Sequence, residues 1–394
     1  MINEKIMQAS AICSEMGVDM WLTFVRESSS TPDPALDLIL GTSCTWESAF
    51  IITAKGDAVA IVGSLDAQNI KDHADYEVVS YVDSIKGDLL SALQKFDPAK
   101  IAINYSLSDV MSDGLSHGMF LILKSYLEGT PYADRLVSSE SVMSALRGRK
   151  SATERQYITG AIKETLSIFD MVTDWVHVGL SEQQVADFIR AEVEKRGLGL
   201  AWDEAHCPAV FSGPDTAGAH AAPTERTIKP GHIMNIDFGV RKNGYVSDLQ
   251  RTWYFLKEDE IDAPEPVKRG FQTIYNAVHN AADALKPGML GWEVDAVARD
   301  YIVKAGYDEY PHGLGHQVGR AAHDGSALLC PIWERYKELP YSVVEEGQVY
   351  TIEPRLTVDG YGIATIEEIV VVGKDGCEFL SKPQKELILI PFRK

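Results

Sequence analysis

The chain has 394 residues, 45% of them apolar and 24% charged, and 57 acidic against 37 basic side chains give a net charge of −20. This composition excludes collagen-like, disordered and disulfide-scaffold classes, and the length favours two domains over one. So large an acidic excess also argues against a phosphate-binding face for nucleic acid. Along the first third, apolar runs at residues 21–24, 49–53, 58–62, 78–82 and 101–104 predict strands, and the spacing over 89–96 and 119–127 predicts helices. Their alternation reads as an α/β domain. The string Asp113-Gly114-Leu115-Ser116-His117-Gly118 is read as a turn entering a helix. Arg147-Gly148-Arg149-Lys150 marks a boundary, giving a first domain over 1–146 and a second over 150–394.

The second domain opens with Ser151 and Glu154, an S-x-x-E capping box ahead of a long helix carrying Ile158, Ile162, Phe169, Val172 and Val176. Gly179 ends it, and Ser181 with Gln184 forms a second box for a helix that Gly197 closes. The pattern then repeats, with a long helix over 267–284, a break at Pro287-Gly288, and another over 294–302 that stops at Gly306. Two strands match as well. Gly231 is followed by HIMNI and Asp237, and Gly347 by QVYTI and Glu353; a second strand then brings Asp248 in one half and Glu367 in the other. The expected architecture is an α/β N-terminal domain followed by an α+β catalytic domain with an internal pseudo-two-fold repeat.

Alternation in a strand fixes which residues share a face. Asn235 and Asp237 point away from Met234, Ile236 and Phe238; Val246 and Gln250 share the face of Asp248, Thr351 that of Glu353, and Thr365 that of Glu367. A lone strand carboxylate is usually the wet side of a hairpin, but four at matched positions imply convergence, and converging carboxylates need a cation. Of ten histidines, three lie close together at His312, His316 and His323, in PHGLGHQVGRAAHD, where glycines let backbone approach a cleft. One nitrogen and four carboxylates make an oxygen-rich site for manganese, iron, cobalt or zinc. Four negative charges balance two divalent ions, and a pair of ions ~3.5–4 Å apart is a hydrolytic centre.

NIDFGVRKNGYVSDLQRTW, HGLGHQVG, TIEP and the IEE at 366–368 resemble the dinuclear-metal peptidases of pita-bread fold, the family of methionine aminopeptidase, Xaa-Pro aminopeptidase, prolidase and creatinase. The resemblance covers the whole chain, with residues 1–146 similar to the N-terminal domain of the Xaa-Pro and creatinase branch and 150–394 to the catalytic domain. It implies that Asp237 binds one metal, that Asp248 and Glu367 bridge two, and that His316 and Glu353 complete the set, with Glu353 also handling the proton of the nucleophilic water. It implies that His220, in AGAHAAP, contacts substrate, that His323 polarises the scissile carbonyl and that His312 lines the same pocket. A metal-bridging hydroxide would then release the N-terminal residue of an Xaa-Pro peptide or dipeptide. Manganese is the first expectation for the ions, with cobalt, iron or zinc as alternatives, and a homodimer is implied.

Two departures touch the substrate side. Thr365 stands where Xaa-Pro members usually carry arginine, and Arg241-Lys242-Asn243-Gly244-Tyr245 replaces a tyrosine-rich stretch. A creatinase-like hydrolase or lyase acting on a non-peptide small molecule is therefore the alternative function. A non-catalytic binding module is the third reading, and five retained ligands weigh against it. The five cysteines, Cys13, Cys44, Cys207, Cys330 and Cys377, form no C-x-x-C pair. With no leader segment and no membrane-length apolar run, they point to a cytoplasmic chain with no membrane partner.

Overall fold

The computed structural model describes residues 1–107, 109–216 and 221–393. The chain divides into two compact units, Met1–Arg147 and Gly148–Lys394. Among the described residues, no helix is long and apolar enough to cross a membrane.

The first unit is built on a six-stranded sheet of β1 (Met20–Val25), β2 (Ser48–Thr53), β3 (Ala58–Gly63), β4 (Glu77–Tyr81), β5 (Ile101–Ile103) and β6 (Leu136–Ser138), in the order β4-β3-β2-β1-β5-β6. The β1–β2 and β2–β3 pairs are antiparallel and the others parallel. Successive residues of β1 feed two separate cores: Trp21 and Val25 one, Met20, Leu22 and Phe24 the other. Burial on both faces is why β1, β2, β3 and β5 read as continuous apolar runs rather than alternating ones. The Asp113–Gly118 string does enter a helix, His117–Leu127, whose first turn is capped by the Ser116 hydroxyl accepting from the Met119 amide.

The second unit contains two similar halves. In the first, α1 (Ala152–Trp175) and α2 (Glu182–Lys195) each begin with a complete capping box, Ser151 with Glu154 and Ser181 with Gln184. They pack through Ile162, Phe169 and Ile189 onto Phe238 and Trp253 of a sheet that contains β7 (Ala209–Ser212), β8 (Ile233–Phe238) and β9 (Leu249–Phe255). In the second, α3 (Glu265–Ala284) and α4 (Gly291–Lys304) pack through Ile274 and Val294 onto Ile352 and Val370. The strands there are β10 (Val349–Ile352), β11 (Arg355–Val358), β12 (Gly362–Thr365) and β13 (Glu368–Val372). Gly231 and Gly347, with φ of +80° and +88°, make the turns that open β8 and β10, so each turn leads through one strand to an acid at its end.

The halves meet where Gln250 of β9 bridges to Glu367, the Glu367 amide donating to the Gln250 carbonyl at 3.2 Å. Behind this seam the buried Arg251 guanidinium donates to the carbonyls of Gln250 (2.8 Å), Glu367 (3.1 Å) and Lys382 (3.0 Å) and pairs with Glu368 at 3.0 Å. Alternation fails at one place. The chain leaves strand geometry at Ser247 and Asp248, so Val246 joins the apolar core instead of sharing the cleft face with Asp248.

The caps are local enough to test singly. Ser181→Ala removes the acceptor for the Gln184 amide (3.2 Å) and should lower the stability of the Gly148–Lys394 unit by ~1 kcal/mol. Urea unfolding followed by tryptophan fluorescence reads the shift, and an unchanged midpoint would show that the cap contributes nothing.

Candidate metal centre

A cavity of about 1100 Å³ opens beside the seam, and Asp237, Asp248, Glu353, Glu367, His312, His316 and His323 all line it. Asp237 sits near the end of β8, directly opposite Gln250 in the ladder, while Asp248 lies in the break before β9. Glu353 follows β10, and Glu367 occupies the step between β12 and β13. Three of the four acids thus stand where a strand stops or breaks, which frees their side chains from the regular pleat. His220 lies outside the described residues.

His316 is aimed at the acids. Its Nε2 lies 3.2 Å from a Glu353 oxygen and 3.7 Å from an Asp248 oxygen, and its Nδ1 is 3.3 Å from the Gln317 carbonyl. Gly315 is required just before it, because a Cβ there would fall 1.9 Å from the Thr351 carbonyl oxygen. His323 packs edge-on against His316 with ring centroids 4.2 Å apart. Asp248, His316 and Glu367 each offer an atom within 4.8 Å of the others, a spacing a metal ion could join.

The acids have too few partners. Glu353 accepts from Gln250 and Thr351, each at 3.4 Å, but Asp237 Oδ1 and both Glu367 oxygens are buried with no hydrogen-bond partner among the described residues. Burial, and then the charge of Glu353, push the Asp237 carboxyl up to about 7, against a smaller opposing pull from His316. Burial, Asp237 and Glu353 raise Asp248 well above the usual range, and burial followed by Asp248, Glu353 and Asp237 does the same to Glu367. Glu353 differs. Burial pushes it up, but His316, His312 and His323 together outweigh that and hold it below its ordinary value. Bare, desolvated carboxylate oxygens facing one another are the donor set of a hard or borderline divalent cation.

A second tier holds the histidine loop. Arg299 of α4 pairs with Asp295 at 2.6 Å and donates to the carbonyls of Tyr310 (2.7 Å) and His312 (2.6 Å), while Asp295 accepts from the Leu314 amide at 3.0 Å. Farther along, the fully buried Lys150–Asp324 pair (2.8 Å) closes the loop's far end, where the Asp324 amide donates to the Gln317 carbonyl at 2.8 Å. Sequence reading missed Asp295, Arg299, Arg251 and Glu368. An i, i+4 acid–base pair was legible in the helix at 295 and 299, but its targets in the loop were not. The cavity is also lined by Trp202, His206, Phe211, Arg335, Tyr336 and Arg355, none of them anticipated.

The altered stretch at 241–245 faces elsewhere. Lys242 pairs with Glu164 of α1 at 2.7 Å, and the Tyr245 hydroxyl donates to Glu154 at 3.0 Å. Arg241 donates to the carbonyls of Arg320 and Ala201, so the stretch packs against α1 and against the loop that follows His316. Thr365 does line the cavity.

Comparison with known proteins gives the family and the fold. Residues 156–374 match the model of metallopeptidase family M24. The chain is 31% identical over 272 residues to an Xaa-Pro dipeptidase of Lactobacillus helveticus, covering 68% of this chain and 69% of that protein. An Xaa-Pro dipeptidase from Bacillus anthracis superposes with a TM-score of 0.73 at 24% identity, over 98% of this chain and 99% of that one. An X-Pro aminopeptidase from Thermotoga maritima gives 0.70 at 23%, over 98% and 99%. The fold is an α/β N-terminal region followed by a pita-bread α+β unit.

The metal-free protein should carry the repulsion as a pH-dependent cost. Carboxyls raised in the folded state contribute stability that is complete below their unfolded values of ~4 and is lost as pH rises through the folded value, about 7 for Asp237. Tm of chelator-treated protein should therefore fall between pH ~4.5 and ~7.5, less steeply in Asp237→Asn, and a divalent cation should flatten the slope. Equal slopes in wild type and Asp237→Asn would show that the acids are not the source.

Proposed function

This chain belongs to metallopeptidase family M24 and is a metallo-exopeptidase, and we propose that it removes the N-terminal residue from Xaa-Pro peptides or dipeptides at a pair of divalent ions. The observation that carries this reading is the set of unpartnered oxygens on Asp237 and Glu367 facing Asp248, Glu353 and His316 in one cavity. Asp237, Asp248, His316, Glu353 and Glu367 would hold the ions, with manganese first and cobalt, iron or zinc as alternatives. Bound there, divalent ions would supply Lewis acidity toward a carbonyl and make a water acidic enough to lose its proton near neutral pH.

The chain's own groups do the rest. Glu353, kept ionised by three imidazoles, accepts the water proton and returns it to the leaving nitrogen. His323, packed edge-on against His316 at the cavity wall, donates to the carbonyl oxygen as charge develops on it. His220 contacts the substrate, and His312 lines the pocket beside them. The substrate's free α-amine lies among the acids, which limits attack to the chain end. The preference for Xaa-Pro is supported by what the L. helveticus relative is named for.

In this reading residues 150–394 form the catalytic domain and 1–146 a creatinase- and prolidase-like N-terminal domain. The working form is a homodimer, and its place is the cytoplasm, which the five free cysteines support.

Elemental analysis of protein reconstituted with manganese or cobalt should find close to two ions per chain, together with release of the first residue from Ala-Pro. Metal-independent activity in a protein that retains no ion would sink the reading. His220→Ala and His323→Ala should keep near wild-type metal content yet lower kcat by ~10²–10³. Loss of metal in either variant would reassign that histidine as a ligand, and undiminished turnover would remove its role.

A further inference from the structure

The cavity that gathers the acids also presents a cation that no acid among the described residues pairs. Arg355 follows Glu353 by two residues, begins β11, and lines the cavity. In the β11–β12 hairpin it is the direct partner of Thr365, which lines the same cavity two residues before Glu367. Directly opposed residues of an antiparallel pair share a face, with Cβ atoms ~4.5–5.5 Å apart. Thr365 read by itself suggests that a positive charge has been lost from the pocket. The hairpin register returns one from the facing strand.

The other arginines around the site are engaged. Arg251 pairs with Glu368, Arg299 with Asp295 and Glu309, and Arg335 donates to the Pro311 carbonyl while stacking on Trp333 and Tyr336. Arg355, half-buried, makes no hydrogen bond or ion pair among the described residues. Across the ladder, the Thr365 hydroxyl is buried and has no hydrogen-bond partner there either. A partly desolvated guanidinium and a buried hydroxyl, both unsatisfied and on facing positions, are costly to keep unless something fills them. Both can donate, and the planar guanidinium fork matches a carboxylate.

We propose that Arg355, with the Thr365 hydroxyl opposite it, is the carboxylate-binding subsite of this cavity and selects substrates that carry a free carboxylate. The proposal rests on the peptidase reading above for the identity of the substrate, not for the binding itself. The carboxylate comes from the C-terminus of a short peptide or from an acidic side chain.

Three ligands separate these sources: Ala-Pro carries a main-chain carboxylate, Glu-Pro amide only a side-chain one, and Ala-Pro amide neither. With the manganese-loaded enzyme, wild type should favour one of the carboxylate ligands over Ala-Pro amide, and the favoured one names the source. Arg355→Gln should raise KM for that ligand by about 10- to 100-fold, as expected for loss of a charged hydrogen bond, so that the acid-over-amide ratio of kcat/KM collapses toward one. Arg355→Lys should lie between. Thr365→Val, which keeps the shape and removes the donor, should lower the ratio by a few-fold and provides the test if the Arg355 variants fail to fold. Calorimetric titration of the same ligands into metal-depleted protein gives a readout independent of turnover. If no peptide is cleaved by the loaded enzyme, the functional reading fails, while an acid-over-amide difference in binding that vanishes in Arg355→Gln still supports the subsite. Equal treatment of acid and amide by wild type, or equal losses on both in Arg355→Gln, overturns it.

Discussion

The mutual repulsion of Asp237, Asp248, Glu353 and Glu367 sets the terms for the rest of the Gly148–Lys394 unit, since like charges gathered in a desolvated cleft push apart the strands that carry them. What resists is a second tier of three buried ion pairs, beside the seam and at the two ends of the histidine loop. Arg251 with Glu368 fastens the seam beside Asp248 and Glu367. Arg299 with Asp295 fixes the loop from Tyr310 to Leu314, whose last carbonyl accepts the Glu353 amide at 2.8 Å. Lys150 with Asp324 fixes the chain beyond His316. Buried pairs of this kind add little net stability, because desolvation offsets their attraction, but removing one partner costs ~3–5 kcal/mol. They act as clamps that make one arrangement of the acids much better than its neighbours.

The duplicated architecture explains how four acids come to face one another. Each half supplies a helix pair, a core of its own and two carboxylates, so neither half holds a complete site. The site exists only where the Gln250–Glu367 bridge closes the seam. Gathering the four acids and docking the two halves are therefore one event, and a cation bound among them would stabilise the docked arrangement over any loosened one.

Local chemistry was the most legible part of the sequence. Both capping boxes formed as read, because each needs only residues three apart. The acid positions were legible through repetition, since a glycine six residues ahead of a carboxylate recurs in both halves. Alternation then misplaced Val246, because the backbone breaks at Ser247–Asp248 and a period of two holds only in an unbroken strand. The clamps stayed invisible for a different reason: Arg251 and Glu368 lie 117 residues apart, and neither forms a pattern until the halves dock. Arg355 was hidden by register. Its relation to Thr365 depends on how the intervening turn pairs the strands, which neither residue announces alone.

That register also bears on the size of what the cavity can hold. Arg355 lies two residues beyond Glu353, so their Cα atoms are at most ~7 Å apart. A dipeptide spans about the same distance from its α-amine to its carboxylate, since two extended residues cover ~7 Å. The acids and Arg355 line one cavity, so a ligand inside it meets charge of both signs. A short zwitterion can satisfy both, with its amine near the carboxylates and its carboxylate on Arg355. A longer peptide can keep its amine in place only by carrying a neutral amide past the arginine, leaving that charge desolvated and unpaired. Length discrimination of this kind needs no lid or wall: it follows from placing charges of opposite sign two residues apart, where the chain passes from β10 into the β11–β12 hairpin.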